Sequence, residues 1–209
     1  MDPLIDDLVD LAQHRPPPAK PVIVGITGAP GAGKSTLAER MVAGLTARGR
    51  RAVLVPMDGF HLADVSLQRL GLLERKGAPE TFDPWGYVAL LERVRAALPH
   101  TVYAPAFERD LEQPLAGAIA VEPGVEFVIT EGNYLLLDQG PWAAVRDLLD
   151  VVWFVEVDAH LRRERLVERH VRFGKTRPAA EAWVRDVDEP NAVLVTASRP
   201  KADRVVSGG

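Results

Sequence analysis

The chain has 209 residues, which suits one domain with at most a small appendage. Hydrophobic residues make up 47% of it and charged residues 26%, the balance of a globular protein with a sizeable core. A formal net charge of −4 predicts no nucleic-acid partner, and the lack of cysteine excludes disulfides, zinc–thiolate sites and cysteine nucleophiles. No apolar run approaches the roughly 18 residues that a membrane helix needs. We therefore expect a cytoplasmic protein that binds no membrane.

The N-terminal segment has the pattern of a short amphipathic helix over residues 3–13 that packs on the edge of the domain. Its apolar side chains recur at helical spacing: Leu4, Ile5, Leu8 and Leu11. Three prolines at positions 16–18 end this helix and predict a stiff connector. We divide the chain accordingly into this helix and connector, residues 1–20, and a main domain, residues 21–209.

Apolar runs alternate with helical patterns along the main domain, which indicates a parallel sheet with right-handed crossovers. The predicted strands are residues 21–27, 52–55, 101–104, 127–130, 151–157 and 204–206. Helices are predicted from the Gly-rich turn to Gly49, from an Asp83-Pro84 cap to Leu98, and over residues 179–187. Residues 58–83 are polar and irregular, and a long segment of this kind is usually functional.

Residues 28–36 read Gly-Ala-Pro-Gly-Ala-Gly-Lys-Ser-Thr and satisfy the triphosphate-loop pattern G-x-x-x-x-G-K-[ST]. The glycines let backbone N–H groups converge on phosphate oxygens at a helix N-terminus. A chance Gly-rich turn is the alternative, but this loop follows a buried strand and opens an amphipathic helix, as the motif demands. The predicted nucleotide-binding residues are Gly28, Ala29, Pro30, Gly31, Ala32, Gly33, Lys34, Ser35 and Thr36.

Within this loop, Lys34 is expected to bridge the β- and γ-phosphates, and Ser35 to supply a hydroxyl to Mg²⁺. A GTPase would also carry a guanine-reading Asn-Lys-x-Asp-like motif, and none occurs. The stretch Asp83-Pro-Trp-Gly86 matches the loose D-x-x-G switch pattern, which is common by chance. What remains is a small-molecule kinase or a nucleotide-dependent regulator without catalysis.

Two acidic residues follow predicted strands. Asp58 comes after the second strand, and Glu131 after the apolar run at residues 127–130. In a parallel sheet both emerge at the carboxyl edge beside the phosphate loop. A kinase uses one carboxylate to orient or deprotonate the acceptor hydroxyl and another to hold Mg²⁺. Each acid alone is equally a turn or cap residue, but two at equivalent strand ends favour catalysis.

Four arginines form a stripe with the spacing i, i+3, i+7, i+10: Arg162, Arg165, Arg169 and Arg172. On an α-helix they fall within an arc of roughly 80°. Such a stripe is suited to closing over a triphosphate. Its alternative is a basic surface forming weak ion pairs, but the phosphate loop favours the lid interpretation.

These motifs resemble the pantothenate kinase, uridine kinase and phosphoribulokinase group of P-loop kinases, from about residue 20 onward. The resemblance is carried by Met57-Asp-Gly-Phe-His-Leu62, Arg75-Lys-Gly-Ala-Pro-Glu-Thr-Phe-Asp83 and Glu131-Gly-Asn-Tyr-Leu-Leu136. The whole chain looks most like a compact subgroup labelled fructose transport system kinase. It implies an α/β fold of three layers, with a five-stranded parallel sheet and a helical lid at about residues 159–178.

The resemblance also implies roles. Asp58 matches the catalytic base, acting with Lys34, and Glu131 matches the acid near Mg²⁺ and the acceptor. The lid arginines are Arg162, on the nucleotide, and Arg165 and Arg169, on the transferring group. The residues implied to line the acceptor pocket are His61, Lys76, Tyr103, Arg109 and Asn133, with Asp58 and Glu131. Three alternatives stay open: Lys76 as a solvated loop charge, Tyr103 as a core residue, and Asn191 as either an adenine neighbour or a helix cap.

Two departures from the family pattern leave the acceptor unidentified. The segment after the third strand reads Tyr103-Ala-Pro-Ala-Phe-Glu-Arg109, unlike that of the longer pantothenate kinases, and the Asp-His-Pro segment of uridine kinases is missing. The sequence therefore predicts an ATP- and Mg²⁺-dependent kinase for a hydroxyl of a sugar, nucleoside or pantothenate-like metabolite. A nucleotide-dependent binding or regulatory module is the alternative. A homodimer stays open, as does the choice of Asp58 or Glu131 as the base.

Overall fold

The computed structural model describes residues 3–14 and 20–208. At its centre lies β1 (Val22–Thr27), which is buried along its whole length between two parallel neighbours, β5 (Phe127–Glu131) and β6 (Val151–Glu156). The outer strands are β2 (Ala52–Leu54), beside β5, and β7 (Arg204–Ser207), beside β6. The sheet order is β2-β5-β1-β6-β7, so the predicted five-stranded parallel sheet is confirmed.

Alternate side chains of β1 enter two separate cores, because successive residues of a strand point to opposite faces. Val22, Val24 and Ile26 pack with α1 (Pro3–Gln13) and α2 (Lys34–Ala47) on one face. Ile23 packs on the other face with α4 (Pro84–Arg95). The sheet is thus the middle of three layers, as predicted. Helix α1 lies where its pattern predicts, whereas the proline connector falls outside the described residues.

The chain between α4 and β5 departs from the predicted parallel pairing. The expected strand at residues 101–104 is part of β3 (Val102–Glu108), which pairs antiparallel with β4 (Gln113–Val121). This hairpin is a separate two-stranded sheet. Only the turn at residues 109–112 joins its strands, too short for the crossover helix that parallel pairing needs. The prediction of a strand is confirmed, and its place in the parallel sheet is wrong.

A short helix lies in the segment predicted to be irregular, and the helices predicted after β6 are confirmed. Helix α3 (Asp64–Leu70) lies within residues 58–83. After β6 come α5 (Ala159–Arg172), α6 (Arg177–Trp183), a π-helical segment (Val184–Asp188) and α7 (Glu189–Ala197). Asp83 caps α4 by accepting a hydrogen bond from the N–H of Gly86 at 2.9 Å, so the Asp-Pro-Trp-Gly stretch is a helix cap. No helix in the described ranges is long and apolar enough to cross a membrane.

The hairpin is held closely against the turn that follows β2. A Cβ atom added at Gly59 would lie 2.3 Å from the carbonyl oxygen of Pro105 in β3. The added Cβ would meet only backbone atoms there, so no side chain could rotate away to relieve the clash. Gly59 therefore sets the distance between the hairpin and the residues beside it.

We expect Gly59→Ala to lower the free energy of unfolding by about 1–3 kcal/mol, because it forces two backbone segments apart. Gly71→Ala is the control. Gly71 has a φ of +69°, and nothing lies within 4 Å of a Cβ added to it. Gly71→Ala therefore measures only the cost of a side chain in the left-handed conformation, which we expect to be about 1 kcal/mol. Denaturant titrations measure both. A Gly59 variant no less stable than the Gly71 variant would contradict the contact.

Candidate active site

The phosphate loop connects β1 to α2 and lies at the carboxyl edge of the sheet. Gly33, immediately before α2, has a left-handed φ of 93°. The Nζ atom of Lys34 donates to the carbonyl oxygen of Ala29 at 3.1 Å, so the lysine crosses its own loop. Burial lowers the pKa of Lys34, and the carboxylates of Glu131 and Asp58 oppose that shift. The lysine and both acids therefore share one electrostatic environment.

Asp58 lies in a single 3₁₀ turn, Met57–Phe60, just beyond β2. Its Oδ2 atom accepts a hydrogen bond from the guanidinium of Arg109 at 3.3 Å, and its side chain is 26% exposed. Burial alone would raise the pKa of Asp58, but the neighbouring His61, Arg109 and Lys34 outweigh it and lower the pKa. Asp58 is therefore ionised at neutral pH and has an open side toward the cavity.

Glu131 ends β5 and is buried, with 5% exposure. Its Oε1 atom accepts a hydrogen bond from the Ser35 hydroxyl at 3.0 Å. Burial, together with the nearby charge of Asp58, raises the pKa of Glu131 to about 7. The two strand-end acids thus differ: the pKa of Asp58 is lowered and that of Glu131 is raised.

The oxygen atoms of Ser35 and Glu131 fit the ligand preference of Mg²⁺, which takes one or two protein oxygens and completes its shell with water and phosphate. The described residues hold no cluster of three or more His, Cys, Asp or Glu side chains suited to a metal. The site therefore offers part of a Mg²⁺ shell, to which a nucleotide would add the rest. Ser35 and Glu131 are the residues that would hold the ion.

The arginine stripe divides into different environments. Arg162 is buried; it donates to the carbonyl oxygen of Pro30 at 3.3 Å and forms an ion pair with Glu189 at the start of α7. Arg165 donates to the carbonyl oxygen of Gly208 at 3.1 Å. Arg169 lines the cavity and contributes positive charge to both Lys34 and Asp58. Arg172 is exposed. Of the four stripe arginines, Arg169 is therefore the one whose charge acts on both Lys34 of the phosphate loop and Asp58.

These groups surround a cavity of about 440 Å³. The phosphate loop contributes Pro30, Gly31, Lys34 and Ser35, and both acids line it. Of the predicted acceptor residues, His61, Lys76, Arg109 and Asn133 are there as well. Lys76 is no solvated loop charge, because its side chain is 14% exposed and its Nζ donates to Asp64 at 2.7 Å.

Tyr103 is not part of the cavity wall. It lies on β3, is 59% exposed and does not line the cavity, so both interpretations offered for it, pocket and core, are wrong. The bulge between Ala104 and Ala106 shifts the register of the hairpin. The aromatic side chain of β3 that lines the cavity is instead that of Phe107, four positions after Tyr103. Asn191 caps no helix; it is buried in α7, lines the cavity and donates to the carbonyl oxygen of Gly77.

One part of the cavity wall was not predicted from the sequence: the residues from the end of α5 to the start of α7, called here the α5–α7 wall. His170 and Asp188 form a close pair, with Nε2 and Oδ2 at 2.8 Å, beside Trp183. Lys175 lies 4.2 Å from the centre of the Trp183 ring. All four residues line the cavity. Their proximity depends on the folding of α6 and the π-helical segment back against α5, which no motif indicates.

Known proteins resemble this chain over most of its length. An "ATP-dependent kinase-like protein notR'" of Aspergillus versicolor is 37% identical over 73% of this chain and 94% of its own. A Schizosaccharomyces pombe protein assigned provisionally as uridine kinase C227.14 is 33% identical over 87% of this chain and 78% of its own. The crystal structure of a provisional fructose transport system kinase from Silicibacter sp. TM1040 superposes with a TM-score of 0.87, at 38% identity over 99% of both chains.

The chain belongs to the P-loop kinases of the uridine kinase, pantothenate kinase and phosphoribulokinase group. A family model, "Methylmalonyl Co-A mutase-associated GTPase MeaB", also matches residues 9–61. That match covers β1, the phosphate loop, α2 and β2, which are the nucleotide-binding elements of this P-loop kinase. It also takes in the turn that carries Asp58 and ends at His61, before the hairpin and the α5–α7 wall.

The raised pKa of Glu131 predicts a pH-dependent stability difference in the protein without metal or nucleotide. The pKa of this carboxyl group is 4.5 in the unfolded chain and about 7 in the folded protein. Its contribution to the stability of the folded state is therefore fully present below pH 4.5 and is lost as pH rises through 7. Glu131→Gln removes the titration. Between pH 5 and 8 the wild type should lose on the order of 2–3 kcal/mol relative to this variant. Denaturant titrations in EDTA measure it, and parallel pH profiles would contradict it.

Proposed function

We propose that this P-loop kinase transfers the γ-phosphoryl group of ATP to a hydroxyl of a small metabolite. One observation carries the proposal: an ionised acid, Asp58, shares a cavity with the phosphate-loop lysine and with Arg169. A nucleotide-dependent regulator needs the phosphate loop but has no use for a carboxylate and an arginine facing the place where the γ-phosphate binds. The name of the Aspergillus relative supports ATP as the donor.

The arrangement suits in-line phosphoryl transfer. Asp58 orients the acceptor hydroxyl and takes its proton as the acceptor oxygen bonds to the γ-phosphorus and the bond to the β-phosphate oxygen breaks. ADP and a phosphate monoester are the products. Lys34 leaves the Ala29 carbonyl and binds the β- and γ-phosphate oxygens. Arg169 stabilises the charge on the transferring group. Ser35 and Glu131 would hold Mg²⁺, which would supply further neutralisation of the phosphates when bound.

The assignment of Asp58 rather than Glu131 as the base follows from their surroundings. Glu131 is hydrogen-bonded to Ser35, which belongs to the metal-binding position of the phosphate loop. Asp58 belongs to the opposite wall, next to His61 and Arg109, where the acceptor enters. A base must reach the acceptor oxygen, and only Asp58 has a side chain partly open to that part of the cavity.

Asp58→Asn should reduce acceptor-dependent ADP release by about 10²–10⁴-fold, because the amide cannot take the proton. ATP affinity should change little, since the side chain does not belong to the phosphate loop. The assay is a screen of sugars, nucleosides and vitamin alcohols, with calorimetry for ATP binding. Full turnover by the variant would disprove the assignment of the base. ATP binding without any phosphorylated acceptor would instead favour the regulatory module.

The stripe predicts different effects for two neighbouring arginines. Arg169→Met should lower kcat by about 10²-fold or more, with a smaller effect on ATP affinity, because its charge is used on the transferring group. Arg172→Met is the matched control, since Arg172 is exposed on the same helix, outside the cavity wall. Steady-state kinetics with the acceptor found in the screen measure both. Equal losses of kcat in the two variants would show that α5 contributes only its overall positive charge and would contradict a specific role for Arg169.

A further inference from the structure

Arg162, the first arginine of the stripe, is buried between the phosphate loop and α7. Its guanidinium donates to the carbonyl oxygen of Pro30 at 3.3 Å and forms an ion pair with Glu189, the first residue of α7. The side chain is 7% exposed, and Arg162 does not line the cavity. The resemblance implied that this arginine binds the nucleotide, whereas the structure shows it engaged with the protein on two sides.

Helix α5 packs directly against the backbone of the phosphate loop. A Cβ atom added at Gly31 would lie 2.8 Å from the side chain of Leu166 and 3.0 Å from the backbone carbonyl oxygen of Arg162. Only a residue without a side chain fits between the loop and the helix at this position. This close approach brings the Arg162 guanidinium within reach of the neighbouring carbonyl of Pro30.

The carbonyl of Pro30 and the N–H of Gly31 belong to one peptide unit, in which the two groups point in opposite directions. Because Arg162 holds the carbonyl toward α5, the Gly31 N–H is turned away from α5, and Gly31 lines the cavity. Within residues 3–14 and 20–208, no group accepts a hydrogen bond from this N–H. Such loops bind anions through converging N–H groups, and a carbonyl turned inward would repel phosphate.

We propose that Arg162 is a positioning residue of the donor site. It fixes the peptide unit between Pro30 and Gly31 so that the N–H faces phosphate, and it does not touch the nucleotide itself. Glu189 holds the guanidinium in place for this role. The proposal rests on ATP as the donor in the function proposed above. Direct binding of phosphate by Arg162 is the alternative that the experiment must separate from it.

The two roles predict opposite effects for the loss of Glu189. If Arg162 acts through the loop, Glu189→Ala releases the guanidinium and should weaken ADP binding about tenfold. If Arg162 binds phosphate directly, Glu189 competes with the ligand, and its removal should strengthen ADP binding. Arg163→Gln is the matched control, because Arg163 also contacts Glu189, at 3.4 Å, but is 47% exposed. An exposed pair contributes little, so this variant should change ADP affinity by about twofold or less.

Adenosine separates positioning of the loop from general damage to the fold, because it has no phosphate. Glu189→Ala should bind adenosine as the wild type does, and equal losses of ADP and adenosine affinity would overturn the proposal. Arg162→Met should also weaken ADP binding. Adding Glu189→Ala to that variant should cost nothing more, since Glu189 acts through Arg162, and additive losses would overturn the proposal. Glu189 is 30% exposed, so its variant carries the test even if Arg162→Met does not fold.

The outcomes also separate this proposal from the kinase function. Calorimetry measures ADP binding, and competition with a fluorescent ADP analogue measures adenosine binding. Unchanged or stronger ADP binding by Glu189→Ala would overturn the positioning role of Arg162 and leave the proposed function standing. Absence of ADP and ATP binding by the wild type would overturn both.

Discussion

The parallel pairing of β1 with β5 sets the position of the phosphate loop relative to Glu131. Its register places Ile26 opposite Glu131, so β5 ends level with the start of the phosphate loop. Ser35 then lies within hydrogen-bond distance of Glu131, although 96 positions separate them in the chain. Pairing of β2 with β5 brings Asp58 to the same edge. A slip of one residue in either ladder would turn these side chains to the wrong face.

Bringing two acids and a lysine together in a desolvated space costs free energy, and the site divides that cost unevenly. Asp58 keeps its charge because cations surround it, and Glu131 responds by holding its proton more tightly. Lys34, in turn, is bonded to a carbonyl of its own loop. Under the proposed function, a magnesium nucleotide would bring both a cation for Glu131 and anionic oxygens for Lys34, and would so offset these costs.

Sequence patterns predicted the donor side of the site and much less of the acceptor side. The phosphate loop is a contiguous motif, and strand-end acids follow from the single edge of a parallel sheet, so both could be derived without coordinates. The stripe of arginines was correctly placed on one helix face. Its spacing could not reveal that Arg162 turns to Pro30 and Glu189, since that depends on how α7 packs. The prediction that Tyr103 lines the acceptor pocket was wrong for a similar reason, because a bulge changes which side chains of β3 face inward.

The hairpin of β3 and β4 contributes three residues to the cavity wall, Phe107, Arg109 and Glu112. That hairpin is continuous in sequence and pairs only within itself, so it forms no ladder with the parallel sheet. Its tightest backbone approach to the base turn is through Gly59. An altered hairpin can therefore change which molecule is recognised without disturbing how phosphate is held. In the proposed kinase, substitutions confined to this one stretch of chain would change the acceptor pocket and leave the nucleotide half of the cavity in place.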